Sequence, residues 1–154
     1  MLFRSIMSET EKFLEATMPR LTEAEIALIN GDASQRIAMW SHNEPVTLFG
    51  AAATRTGWAE ARRTFEQIGS LFSDCTAYEI EVVAAGASGD LAYLVAFEHA
   101  TASVNGVPVE PFTLRVTTVF RREDGEWRVV HRHGDSPKSV ASHALAGQLQ
   151  VSDR

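Results

Sequence analysis

The segment Arg115–Asp135, RVTTVFRREDGEWRVVHRHGD, constrains this chain more than any other. It reads as two strands joined at Asp124-Gly125, a dipeptide that supplies the positive φ angles of a tight hairpin. The strands before it follow the same rule. Tyr78, Ile80 and Val82 alternate with Glu79 and Glu81 from Thr76 onward, the period of a half-buried strand. Ala87–Asp90 turns the chain, Leu91 to Val104 is a second strand, and Asn105-Gly106 is a hairpin turn. Val109 to Arg122 is a third strand and Glu126 to Asp135 the last. The C-terminal half is therefore an antiparallel meander.

The N-terminal half has a helical period. Ser8 with Glu11 forms a capping box, so a helix is predicted to begin there. Pro19 is predicted to end or kink it. Thr22 would cap a second segment, TEAEIALI, and Asp32 a third, ASQRIAMW. Ser41–Pro45 is a turn cluster, Val46–Phe49 a short strand, and Ala51–Thr56 a loop. After Gly57, Trp58, Ala61, Phe65, Ile68 and Phe72 repeat at helical spacing. Helices followed by a long meander predict an α+β fold with helices on one face of a curved sheet.

Composition excludes some functions. A net charge of −6 disfavours nucleic-acid binding. No apolar run approaches the roughly 20 residues of a membrane span. MLFRSIM is too short for a signal peptide and reads as a ragged start ahead of Met7. The single cysteine, Cys75, rules out an internal disulfide framework and fits a reducing compartment. A cytoplasmic protein is expected. It is expected to form one domain over residues 1–154, with its core at 8–136 and a flexible tail at 137–154. No phosphate loop, dinucleotide fingerprint or nucleophile elbow occurs.

The hairpin register decides which side chains share a face. A two-residue loop would set Glu123 opposite Glu126, a like-charge pair that costs stability. A three-residue loop, Glu123–Gly125, avoids that pair and is the register expected. One face then carries Arg121 with Trp127, Val119 with Val129, Thr117 with His131, and Arg115 with His133, followed by Asp135. The other carries Val116, Thr118, Phe120 and Arg122 with Arg128, Val130 and Arg132. The first resembles a pocket wall with an apolar base and a polar mouth, and the second an outer surface.

The order of elements and the pattern RxTxVxxRxDGxWxxxHxH resemble the nuclear transport factor 2-like superfamily, which includes the ketosteroid isomerases. The SnoaL-like group is the most similar. Ala38–Trp40, Val46–Gly50 and Arg115–His133 carry the likeness, and it covers about residues 8–136. The resemblance implies a cone: a bent antiparallel sheet wrapped around the N-terminal helices, with a pocket at its open end. It implies a homodimer through the outer sheet face, and functions from isomerase, cyclase and dehydratase to ligand binder and assembly module. Ketosteroid isomerases place an acidic base after the first strand. Thr47-Leu48-Phe49 offers no carboxylate there, so that mechanism is not expected.

On this reading Trp40, Phe49, Val119, Trp127 and Val129 line the pocket, with Thr117, His42 and Asn43 within reach of its mouth. Arg115 would bind a carboxylate or an enolate oxygen. His133, oriented by Asp135 and assisted by His131, would act as acid or base. The same residues also suit a structural polar network, or a ligand site without chemistry. His131, His133 and Asp135 have metal-ligand chemistry, but three alternate strand residues stand in a line, so no metal and no cofactor are expected. Glu98 and His99 must face opposite ways, and which one faces inward is left open.

Overall fold

The computed structural model describes residues 6–137, 145 and 147–149. The expected tail at 137–154 falls mostly outside the described residues. Ser8 caps α1 (Glu9–Leu28) as predicted, its side chain accepting from the Glu11 N–H at 3.1 Å. Pro19 does not end this helix. The two expected helices are one, of 20 residues, and Thr22 lies inside it rather than capping a second. Buried Phe13, Thr17, Leu21, Ala24 and Leu28 hold one continuous face of it against the sheet, which outweighs the lost backbone hydrogen bond.

Next come α2 (Ser34–Met39), β1 (Thr47–Phe49), β2 (Thr54–Thr56) and α3 (Trp58–Leu71). Asp32 accepts from the Ser34 N–H at 2.9 Å at the start of α2. The segment expected to be a loop at Ala51–Thr56 contains β2, which pairs with β1. The meander is β3 (Phe72–Ser88), β4 (Leu91–Val104), β5 (Val107–Pro108), β6 (Phe112–Glu123) and β7 (Glu126–Asp135). The strand order is β2-β1-β7-β6-β4-β3, with β5 on β4. All pairs are antiparallel except β1 with β7. The helices and the curved antiparallel sheet make the expected α+β cone.

The solid part of the core lies between α1, α3 and the turn end of the β6–β7 hairpin. Phe13 packs edge-on against Phe120 and Trp127, at centroid distances of 5.0 and 5.3 Å. Trp40 meets Phe65 in the same way at 4.8 Å.

The hairpin register differs from expectation. Glu123 does stand opposite Glu126, across a two-residue loop. Asp124 and Gly125 have φ of 51° and 80°, which such a turn requires at both central positions. The like-charge penalty is cancelled locally. Arg121 Nε donates to Glu123 at 2.8 Å, and Arg128 Nη2 to Glu126 at 3.0 Å.

A β-bulge then follows. Phe120 pairs with Val129 and Val119 with His131, leaving Val130 as the extra residue. One extra residue inverts every side chain beyond it. Trp127 and Val129 face inward, as do Arg132 and Gly134, while His131, His133 and Asp135 face outward.

Candidate functional site

The cone encloses a cavity of about 450 Å³ between the helices and the inner face of the sheet. Leu28, Leu48, Ile68, Phe72, Phe112 and Leu114 supply much of its apolar wall. Six ionisable side chains also reach it: Glu25 from α1, Arg36 from α2, Arg55 from β2, Tyr78 from β3, Glu98 from β4 and Arg132 from β7.

Four of these groups form two bidentate pairs. Arg132 Nη1 and Nη2 donate to Glu98 at 2.7 and 3.0 Å. Arg36 Nε donates to Glu25 at 3.0 Å, and its Nη2 donates to the other oxygen of the same carboxylate. All four residues are buried. Arg132 reaches Glu98 by passing over Gly134. A Cβ built at Gly134 would stand 3.7 Å from Arg132 Nη2, so the guanidinium lies along the strip where Gly134 offers no side chain.

Burial alone would raise the Glu98 carboxyl, but Arg132, Arg36 and a contribution from Tyr78 outweigh it, and its pKa lies below the ordinary value. Burial lowers Arg132, and its carboxylate neighbours more than restore it, so its pKa is raised. Burial, then the charges of Glu98 and Glu25, push the Tyr78 phenol well above its ordinary range. Its buried oxygen closes no well-formed hydrogen bond with a protein group, although the Glu98 carboxylate is near enough to act on it.

None of the expected site residues lines this cavity. Trp40, Trp127 and Val129 are in the solid core. Arg115, Thr117, His133 and Asp135 line a separate groove of about 280 Å³ on the outer face, with Val83, Val95 and Phe97. Phe49 is edge-on to His131 and His133 on the same outer face, at 5.3 and 5.7 Å. Val119 pairs with His131 and with Tyr93. His42 stacks on Trp58 at 4.1 Å and bonds the Ile37 carbonyl at 2.8 Å. Asn43 reaches Glu123 at 3.5 Å.

The outer groups are committed to one another. Asp135 takes two hydrogen bonds from Arg115, at 2.8 and 2.9 Å, rather than orienting His133. Those bonds hold its pKa below the ordinary value. Both partners are about half exposed, at 52% and 42%, so the pair adds little stability. His131 Nδ1 shares a 2.7 Å hydrogen bond with Thr47. Burial and the neighbouring His133 lower its pKa.

The open choice between Glu98 and His99 is settled: Glu98 faces the cavity, while His99 bonds Glu81 and Thr113 at 3.0 and 2.9 Å. Parity carried this signal. Leu94, Ala96, Ala100 and Ala102 are all buried, so Glu98 is a carboxylate set in a stripe of small apolar residues. Nothing comparable marks Arg132, whose direction depends on the bulge.

The fold has solved relatives. A proposed dehydratase of the nuclear transport factor 2-like family from Streptomyces avermitilis superposes with a TM-score of 0.70 at 18% identity, covering 83% of this chain and 98% of that one. A ketosteroid isomerase-like protein from Erwinia carotovora atroseptica gives 0.66 at 20% identity, with coverage of 83% and 98%. A nuclear transport factor 2-like protein with a cystatin-like fold, from Novosphingobium aromaticivorans, gives 0.60 at 22% identity, with coverage of 87% and 90%. No match is found among curated proteins. The family model of the SnoaL-like domain matches residues 15–138. That match makes this chain a member of the SnoaL-like family, with a fold it shares with nuclear transport factor 2-like proteins.

Proposed function

We propose that this protein binds a small, largely apolar molecule in the cone cavity, with the polar group of Tyr78, Glu98 and Arg132 meeting that molecule's polar end. The carrying observation is the cavity itself: about 450 Å³, apolar over most of its wall, with convergent buried polar groups. Fold alone does not choose among the activities of such a family. Relatives that include a proposed dehydratase and a ketosteroid isomerase-like protein keep cofactor-independent isomerisation, cyclisation or dehydration within the proposal. The protonation states favour binding without turnover. A general base works best with a pKa near neutral, whereas Arg132 holds Glu98 low and the Tyr78 phenol stays protonated. A setting in the reducing cytoplasm rests on the lone free thiol of Cys75; among the described residues no helix is long and apolar enough to cross a membrane.

The test is thermal denaturation with increasing 2-acetylnaphthalene. The midpoint is expected to rise with ligand concentration, as for any ligand of the native state alone. Leu114→Trp places an indole in the cavity. It is expected to fold and to lose the ligand-induced rise; an undiminished rise in that variant would count against the cavity as the site.

A second reading concerns assembly. Val83, Leu91 and Tyr93 are 53%, 57% and 46% exposed on β3 and β4, and Val95 and Phe97 continue the same flank. This apolar surface supports a homodimer through the outer sheet face. Val83→Lys is then expected to shift the sedimentation coefficient from dimer to monomer. A wild-type chain that sediments as a monomer at high concentration rules the reading out.

A further inference from the structure

We propose that the cavity selects neutral ligands over anionic ones, and that the Tyr78 phenol is the hydrogen-bond donor left for the ligand. This rests on the cavity-binding reading and specifies its ligand class: a compact apolar skeleton bearing a neutral acceptor oxygen, such as a ketone or an ester.

The two deep guanidinium groups are already engaged by the protein's own carboxylates. Arg132 gives two hydrogen bonds to Glu98, and Arg36 gives two to Glu25. A guanidinium normally makes a pocket attractive to carboxylates because its planar fork matches them. Here that geometry is used by the protein's own glutamates, and the four charges sum to zero. A ligand carboxylate arriving beside them would be a third buried negative charge with no cation of its own. It would have to displace Glu98 or Glu25 from a bidentate partner and leave that glutamate uncompensated.

Arg55 is the other guanidinium on the cavity lining. Among the described residues it has no carboxylate partner, but it is only partly buried and donates to Thr64 Oγ1 and the Thr54 carbonyl, at 2.9 and 3.0 Å. An ion pair formed there stays in contact with water and gains little. It does not reverse the preference set by the buried groups.

Tyr78 is different from all of these. Its hydroxyl is buried, closes no well-formed hydrogen bond with a protein group, and belongs to a side chain on the cavity wall. A phenol that keeps its proton donates one hydrogen bond. It satisfies a neutral carbonyl or ether oxygen without any charge being buried. Only one such bond is needed, and the rest of the ligand meets Leu, Ile and Phe side chains.

The experiment compares three probes of similar size by calorimetry: 2-acetylnaphthalene, 2-ethylnaphthalene and 2-naphthoate. The ketone is expected to bind tightest, and the carboxylate at least about tenfold more weakly than the ketone. Tyr78→Phe is expected to weaken the ketone by about fivefold to tenfold and to leave the hydrocarbon unchanged. That variant removes an unpaired buried hydroxyl, so it should melt no lower than the wild type. Equal ketone affinity in wild type and Tyr78→Phe overturns the role of Tyr78. Tighter binding of 2-naphthoate than of the ketone overturns the neutral preference. If none of the three binds, the cavity-binding reading fails, and this inference fails with it.

Discussion

Glu98→Leu is expected to destabilise the protein by about 3–5 kcal/mol. The substitution removes the carboxylate that holds both Nη atoms of Arg132. It strands a guanidinium that is buried among cavity residues. Desolvating an unpaired charge is the costly step; the ion pair itself is close to neutral against an apolar replacement. The double variant Glu98→Leu with Arg132→Met should therefore recover most of the loss. Urea denaturation of the two single variants and the double variant completes the cycle. A double variant as unstable as Glu98→Leu alone would mean that the pair is not the cause.

The same pair makes stability depend on pH. The folded-state pKa of Glu98 is depressed below its ordinary value of 4.5. The unfolded chain therefore binds the proton first as pH falls. The stabilisation from ionised Glu98 is complete above about pH 4.5 and is lost as pH drops through the lower folded value. The double variant should lack that part of the acid-induced loss.

Phe120→Ala is expected to cost about 3–5 kcal/mol for a different reason. Phe120 is fully buried on the inner face of β6 and meets Phe13 of α1 edge-on at 5.0 Å. Truncation loses the transfer free energy of the ring and leaves a void among Phe13, Trp127 and Val129, which belong to the same core. Three of the walls are rigid aromatic or strand residues, so the space cannot close cheaply. The midpoint in urea should fall with little change in slope. A loss under about 1 kcal/mol would show that α1 is not fastened to the sheet at this point.

Local signals carried most of the elements. The capping box at Ser8 set the start of α1, and period-two alternation set β3, β4 and β7, because each depends on neighbours within a few residues. Pro19 shows where such reasoning fails. A proline costs a helix one hydrogen bond, whereas the packing of the whole buried face of α1 decides whether the helix continues. The turn Asp124-Gly125 was legible as a turn. Its register was not, because the Arg121–Glu123 and Arg128–Glu126 contacts that offset the like-charge pair form only once the strands are paired and packed.

The site was less legible than the fold. Its buried carboxylate could have been read from Glu98 among alternating alanines, since alternation in a strand is a strict rule. The placement of Arg132 could not. By sequence alone, the final strand holds candidate residues of both parities: His131, His133 and Asp135 on one, Arg132 and Gly134 on the other. The extra residue Val130 exchanges their faces. The amino-acid sequence by itself determined the order of helices before a long meander, most of the elements and the family. The tertiary structure decided which parity faces the cavity. A bulge is set by how two whole strands, a parallel partner in β1 and the helices above them fit together, and no periodicity within one strand records that fit.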